Sequence, residues 1–425
     1  GNYVGIGIEI AFIQDSLIVL YPKKDSPALR AGIQPGDYII AIDGKNILGD
    51  SLNHMDILNR IKGTKGTKVK LTLKPMMADT QRIVEVIRDE IKVPSVPAAY
   101  MIDSTVAYIK IDRFMNTTYR EFMDAWELLN TKHHAQHLIL DLRDNPGGYL
   151  KEAVNMLSQF FPEEGKLLVY TEGKNQKRMD YKSTGKVFFP VDHLTVLING
   201  NSASASEIVA GCIQDQDRGV IIGSRSYGKG LVQEQFDLSN GGILRMTVSR
   251  YYTPSGRLIQ KAYDATSAID TLKAYSTTMG RPEHAGGGII PDIEIKDEVK
   301  WQNSIMSKWM DIISEYAIHY NLIQHHGEII PVSQIPTIEK SLPGKETILK
   351  DLMELAAKRS SAVVLDSLKS IQQAQPDQLY RIAMASMIAY RTGEEGWYVA
   401  YNENDPAVLK AREVVKADPR TLLKK

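Results

Sequence analysis

The sequence predicts an α/β core with a mostly parallel sheet and flanking helices, preceded by a small β-rich domain and followed by an α-helical appendage. Three observations predict this. Residues 4–74 hold short β-rich segments separated by glycine and proline. Residues 105–295 alternate apolar strand-like runs with amphipathic stretches of helical length, the signature of a parallel α/β layer. Beyond Lys300, apolar residues recur at spacings of three and four, as in packed helices. The expected boundaries are 1–92, 93–300 and 301–425.

In the first region the strands read as GIGIEI, SLIVLYP, DYIIAIDG and KVKLTLK, with a helical stretch at SLNHMDILNRI. The segment QRIVEVIRDEIKV alternates apolar and polar residues and runs into Pro94 and Pro97, which mark a boundary. The core then reads VAYIKI, YREFMDAWELL, HLILDLR, LKEAVNMLSQFF, LLVY, LTVLING, SEIVAGCIQ and GVIIG, alternately strand and helix apart from the adjacent strands LLVY and LTVLING. Ligands of such sheets gather beyond the carboxyl ends of the strands. Two loops of unusual chemistry fall there: DNPGG after HLILDLR, and NGNSASAS after LTVLI. No internal repeat or low-complexity tract interrupts the chain.

Composition narrows the function. A chain of 425 residues accommodates two to four domains, and its 43% hydrophobic and 24% charged residues are those of a folded, water-soluble protein. Lysine plus arginine balances aspartate plus glutamate at 51 each, so no overall field draws nucleic acid or an acidic membrane. The single cysteine, Cys212, excludes an intrachain disulfide and a cysteine zinc cluster, and its apolar setting IVAGCI places it in the core. No apolar stretch approaches the roughly 18 residues of a membrane span. Gly1 in place of an initiator methionine predicts a mature or trimmed product.

Three segments carry candidate chemistry. In the turn Asn199, Gly200, Asn201, Ser202, Ala203, Ser204, Ala205, Ser206, Glu207, Ser204 and Glu207 have the spacing of a helix capping box. The same small residues would also expose a hydroxyl at a helix N-terminus, where backbone amides can receive an oxyanion. The pattern GxSxG fails, since serine rather than glycine stands at position 204. Nothing singles out a histidine base: His133, His134 and His137 follow a helix, read as surface residues, and HExxH is absent.

The second segment runs from Gly223 to Gly230 and satisfies GxxxxGK of a phosphate loop, but Gly230 replaces the required Ser or Thr. LVQEQF then reads as a strand and offers a phosphate no helix N-terminus. Lys229 between two glycines reads either as a solvated loop lysine or as a base packed closely enough to lose its proton. If LVQEQF continues the alternation, Lys229, Leu231 and Gln233 share a face, and Gln233 holds the amine in line. The third segment, Asp141 to Gly148, is a plain turn or a supplier of backbone amides to the same pocket.

Together these segments resemble the carboxyl-terminal processing peptidases, or tail-specific proteases, which are serine-lysine enzymes with a PDZ domain. The resemblance covers about residues 3–293 and is most specific over NGNSASASEIVAGCIQDQDRGVIIGSRSYGKGLVQ. The family's nucleophilic serine lies 25 residues before its lysine, a spacing that selects Ser204 and Lys229, with Tyr227 replacing the usual phenylalanine. By resemblance Gln233 orients the lysine, Gly148 and Ala205 offer oxyanion-hole amides, and Asp215 supports structure. The segment SPALRAGIQPGDYIIAIDGKNI is similar to the family's PDZ domains, and Gly5, Ile6 and Gly7 match the loop that captures a terminal carboxylate. Arg88 resembles an arginine that couples PDZ and active site in some members, or is a surface arginine. YYTPSGRLIQ and GGGIIPDI also look like the family, with 263–284 elaborated.

The resemblance implies a serine endopeptidase without metal or organic cofactor. Its substrates would be polypeptides with free, apolar carboxyl termini, and its compartment the bacterial periplasm or envelope. Oligomeric state is left open. The alternative is a scaffold protein that keeps the PDZ domain and helices but has lost catalysis.

Overall fold

A computed structural model describes residues 2–13, 16–47, 54–76, 78–261, 274–296, 304–325 and 330–423. The chain forms two compact units, Gly1–Val93 with Glu298–Asn404, and Pro94–Asp297 with Asp405–Lys425.

The first unit begins with β1 (Tyr3–Gly5), β2 (Ile8–Ile13), β3 (Ser16–Pro22), α1 (Pro27–Arg30), β4 (Asp37–Ile42), β5 (Lys45–Asn46), α2 (His54–Ile61), β6 (Lys68–Pro75), β7 (Arg82–Ile87) and β8 (Asp89–Ile91). The main sheet runs β2-β3-β4-β6-β7, so β2 is an edge strand, and β1 pairs with β8 apart from it. Alternation along the strands gives the sheet two apolar faces. Leu17, Val19, Ile39, Leu71 and Leu73 form the inner core with Ile57 and Ile61 of α2. Ile13 and Ile18 pack instead against Ile318, Leu322 and Tyr390 of the C-terminal helices.

Those helices are α6 (Ser304–His325), α7 (Ile335–Glu339), α8 (Lys345–Arg359), α9 (Ala362–Ala374), α10 (Pro376–Thr392) and α11 (Glu394–Asn402). They have an apolar core of their own around Trp309, Ile313, Leu352 and Met387. Arg88 is neither exposed nor free. Its Nε donates to the Ile61 carbonyl at 3.0 Å and its Nη2 to the Arg60 carbonyl at 2.8 Å, which caps the C-terminus of α2.

In the second unit, β9 (Ala98–Met101), β10 (Val106–Lys110), α3 (Thr118–His133), β11 (His137–Asp141), α4 (Leu150–Ser158), β12 (Glu164–Glu172), β13 (Met179–Thr184), β14 (Leu194–Ile198), α5 (Ala205–Asp215) and β15 (Val220–Gly223) follow in order. Then come β16 (Leu231–Asp237), β17 (Ile243–Tyr252), β18 (Ala274–Ser276), β19 (Pro282–His284) and β20 (Ile293–Glu294). The central sheet runs β20-β15-β14-β11-β10-β9, parallel except for β9. VAYIK, LTVLI and VIIG are buried at every position, which is why they read as unbroken apolar runs.

One expected core strand belongs elsewhere. LLVY lies within β12, in a separate antiparallel sheet of order β13-β12-β17-β16. The chain's last segment, with α12 (Pro406–Val414) and α13 (Pro419–Leu422), returns to this unit and buries Ala407, Val408, Ala411 and Val414. Part of the elaborated stretch 263–284 lies outside the described residues.

Candidate active site

Three loops leave the carboxyl ends of the adjacent parallel strands β11, β14 and β15, and they carry the three candidate segments. The turn before α5 forms the expected capping box. It is also strained: Ser204 has φ 56° and ψ −114°, a conformation side chains rarely adopt and one that costs about 1–3 kcal/mol. A serine held in such a turn between a strand and a helix N-terminus is the arrangement that presents a nucleophile.

Glu207 does more than complete the cap. Its Oε2 accepts the amides of both Ser204 and Lys229 at 2.8 Å, so the two backbone nitrogens lie within two hydrogen-bond lengths of each other. Its Oε1 accepts the Gly228 amide at 2.7 Å and the Ser226 hydroxyl at 2.5 Å. Burial raises the carboxyl above its ordinary range, while the Ser226, Lys229, Gly228 and Ser204 donors oppose that shift. One fully buried carboxylate thus ties the serine turn to the lysine loop.

The same bonds dispose of the phosphate-loop reading. The amides that would face a phosphate already face Glu207, and the loop runs into β16 rather than a helix. Lys229 is half-buried, and its flanking glycines allow that packing. A Cβ on Gly228 would lie 2.9 Å from the Lys261 Cβ, and one on Gly230 2.5 Å from the Gln260 nitrogen. Among the described residues no carboxylate pairs with the Lys229 amine.

The DNPGG loop closes over the turn. The Asn145 carbonyl accepts the Ala203 amide at 2.9 Å and the Ser206 hydroxyl at 3.0 Å. Gly147 approaches so closely that a Cβ would sit 2.7 Å from the Ser204 Cβ and 2.9 Å from the Ala205 nitrogen. Among the described residues, the Gly148 and Ala205 amides have no hydrogen-bond acceptor. Two unpaired amides beside one serine can receive an oxyanion.

Gln233 is placed less simply. It is exposed and pairs with Thr247; the register shift beside it, from Val232–Ser249 to Gln233–Thr247, puts the extra residue, Val248, in β17, so the alternation along β16 itself is unbroken. Asp215 is structural: it pairs with buried Arg257 at 2.6 Å and accepts the Ser255 amide at 2.9 Å. Cys212 is buried in the core. His137 and His193 stack at the opposite, amino-terminal ends of β11 and β14, with centroids 4.9 Å apart.

Sequence reasoning missed Tyr251. Burial pushes its hydroxyl up to about 12, and the Ser204 side chain is the hydrogen-bonding neighbour that pulls the other way. In the other unit, Ile6 and Gly7 lie between β1 and the edge strand β2, and their amides have no acceptor among the described residues. Gly7 has φ 74°, and a Cβ there would meet the Ser26 Cβ at 2.5 Å. Gly5 ends β1, opposite Asp89.

Comparison with known proteins identifies the family. The model of peptidase family S41 matches residues 105–267, and a PDZ domain model matches residues 18–75. A carboxy-terminal-processing protease of Bartonella bacilliformis is 36% identical over 297 residues, 67% of this chain and 67% of that protein. The chain belongs to peptidase family S41, the serine-type carboxy-terminal-processing peptidases. A "Probable CtpA-like serine protease" of Staphylococcus aureus (strain COL) is 35% identical over 278 residues, covering 65% of this S41 chain but 54% of that longer protein. A solved photosystem II D1 C-terminal processing protease is 28% identical, with a TM-score of 0.38, over 71% of this chain and 74% of its own. No helix among the described residues is long and apolar enough to cross a membrane.

Proposed function

We propose that this S41 peptidase is an endopeptidase with a Ser204–Lys229 dyad that reads the carboxyl termini of its substrates through its PDZ domain. The observation that carries the assignment is the shared Glu207 carboxylate, which holds the Ser204 and Lys229 amides on one oxygen. Ser204 attacks the scissile carbonyl, and Lys229 takes the hydroxyl proton and returns it to the leaving amine. The Gly148 and Ala205 amides stabilise the tetrahedral oxyanion. Water then releases the acyl-enzyme.

No hydrogen bond joins the Lys229 amine to the Ser204 hydroxyl among the described residues, so the pair tightens when substrate binds. The dyad needs no metal or organic cofactor. Gln233 takes no chemical step; two residues beyond Leu231 on the continuous strand β16, it would orient the Lys229 amine.

The PDZ reading is supported by the unpaired edge of β2 and the free Ile6 and Gly7 amides. A substrate tail adds to that edge as a strand, and its terminal carboxylate meets the Gly5–Ile6–Gly7 loop. Substrates therefore end in small apolar residues. On family grounds we place the enzyme outside the cytoplasm, in the bacterial periplasm or envelope.

The test is digestion of an unstructured polypeptide by the parent, Ser204→Ala and Lys229→Ala. Loss of cleavage in both variants is expected. An inactive parent would favour the scaffold alternative. Amidating the substrate's terminal carboxylate should slow cleavage strongly, and an unchanged rate would remove the tail-reading part.

A further inference from the structure

We propose that Asp405, at the start of the C-terminal helix α12, is a positioning residue that holds the oxyanion loop in place through Arg143. It rests on the assignment of Gly148 to the oxyanion hole. Arg143 stands in the same loop, between Asp141 at the end of β11 and Gly148.

Its guanidinium is clamped on two sides. Nε donates to both Asp141 carboxylate oxygens at 3.1 and 3.0 Å, and Nη2 donates to Asp141 Oδ2 at 2.6 Å. Nη1 donates to both oxygens of Asp405 at 3.0 and 2.9 Å. Asp405 is itself fixed, since its Oδ1 accepts the Val408 amide as the N-cap of α12. Asp141 and Asp405 are both buried, with side chains 2% and 3% exposed. Burial of this kind makes a charge-assisted contact stiff and its loss costly.

From Arg143 the constraint passes along the chain to the site. The Asp144 amide bonds the Asn199 carboxamide at 2.9 Å, and the Asn145 carbonyl holds Ala203 and Ser206. Gly147 and Gly148 follow directly. Replacing Asp405 by asparagine keeps the oxygen that caps α12 but removes the charge and sets an NH2 group against Nη1 in place of the other oxygen, which loosens one side of the arginine that anchors this loop. A misplaced oxyanion donor costs turnover rather than ground-state binding. Asp405 lies outside the segment matched by the family model, and it is the first residue after the chain leaves the PDZ-containing unit.

The decisive variant is Asp405→Asn in the full chain. Asparagine caps helices as well as aspartate, so α12 keeps its cap while Arg143 loses its counter-charge. We expect kcat to fall at least tenfold with KM unchanged and the melting temperature nearly unchanged. Affinity for a peptide boronate, which binds as a tetrahedral adduct, should fall by the same factor as kcat/KM. Affinity for a product peptide should not move, and Asp405→Glu should recover part of the loss.

Val408→Ala serves as the control for mere loosening of α12, with lower stability and retained kcat expected. Parent-like kcat and boronate affinity in Asp405→Asn would overturn the proposal, as would an equal kcat loss in Val408→Ala. Should Asp405→Asn not fold, Arg143→Lys, which keeps the charge but cannot fork between two carboxylates, must show the same kcat and boronate losses or the proposal falls. Ser204→Ala separates the two levels: residual cleavage there sinks the underlying assignment, whereas its loss beside a fully active Asp405→Asn sinks only the role of Asp405.

Discussion

Replacing Glu207 by glutamine tests the link between the serine turn and the lysine loop. The carboxylate accepts four donors, two on each oxygen. Glutamine keeps one oxygen and turns the other into an NH2 group. Its better orientation places NH2 toward Ser226, whose hydroxyl can rotate and accept, and leaves only the Gly228 amide facing a donor. One buried unsatisfied amide costs about 1–3 kcal/mol. The opposite orientation strands the Ser204 and Lys229 amides and costs roughly twice as much.

Glu207→Gln should therefore lose about 2 kcal/mol of stability, a fall in melting temperature of roughly 4–8 °C for a unit of this size. Its kcat should fall at least tenfold, because the spacing of Ser204 and Lys229 is no longer held by a common acceptor. Glu207→Ala strands all four donors at about 4–12 kcal/mol, comparable with the whole stability of a domain, and should not fold. The assays are thermal melting and peptide cleavage on the same preparation. A Glu207→Gln protein within 0.5 kcal/mol of the parent and equally active would refute the reasoning.

Three further outcomes follow from the same geometry. Gly148 has φ 147°, and a Cβ there would lie 2.0 Å from the Phe114 carbonyl oxygen. Gly148→Ala must therefore shift the loop and should lower kcat about a hundredfold or more, and near-parent turnover would contradict its place in the oxyanion hole. Tyr251→Phe removes the hydroxyl beside Ser204 and should change kcat several-fold with little effect on melting; an unaltered kcat would show that the neighbour is idle.

Two arginines, Arg257 and Arg281, serve four carboxylates; Asp215, Asp217 and Asp292 each hold one of them at 2.6, 2.8 and 2.7 Å, while Glu283 reaches both at the longer distances of 3.2 and 3.4 Å. Burial first, then Asp292 and Asp215, raise its carboxyl to about 7 against the opposing arginines. A carboxyl raised on folding contributes stability below its unfolded value of 4.5 that is lost as pH rises through about 7. Glu283→Gln should flatten that part of the pH dependence between pH 5 and 8 in urea unfolding, and an unchanged slope would count against the assignment.

Much of this fold is legible in the sequence because the central strands are buried on both faces, so VAYIK, LTVLI and VIIG stand out as unbroken apolar runs. LLVY looks the same locally yet joins the antiparallel sheet, since strand pairing is set by distant partners. The serine turn, the lysine loop and DNPGG were visible as motifs, and adjacent strand ends bring them together. Glu207 was legible only as a capping partner, because nothing local says that one carboxylate serves two loops. Arg88 stood out only by resemblance, as a coupling arginine or a surface one, and no local pattern names the helix carbonyls it caps. The strand that carries Gln233 was legible, but its exposure was not, because what covers a strand face is set by distant partners. Asp405 gave no signal, for it meets Arg143 across a separation of 262 residues.

The most direct test of the serine-lysine chemistry is to trap the covalent intermediate. The full-length enzyme is mixed with a tail-bearing peptide ester, quenched in acid within the first turnover, digested and mapped by mass spectrometry. An acyl group on Ser204 in the parent, greatly reduced in Lys229→Ala, is the predicted result. An acyl group on another residue, or one that forms on Ser204 just as fast without Lys229, would contradict the dyad.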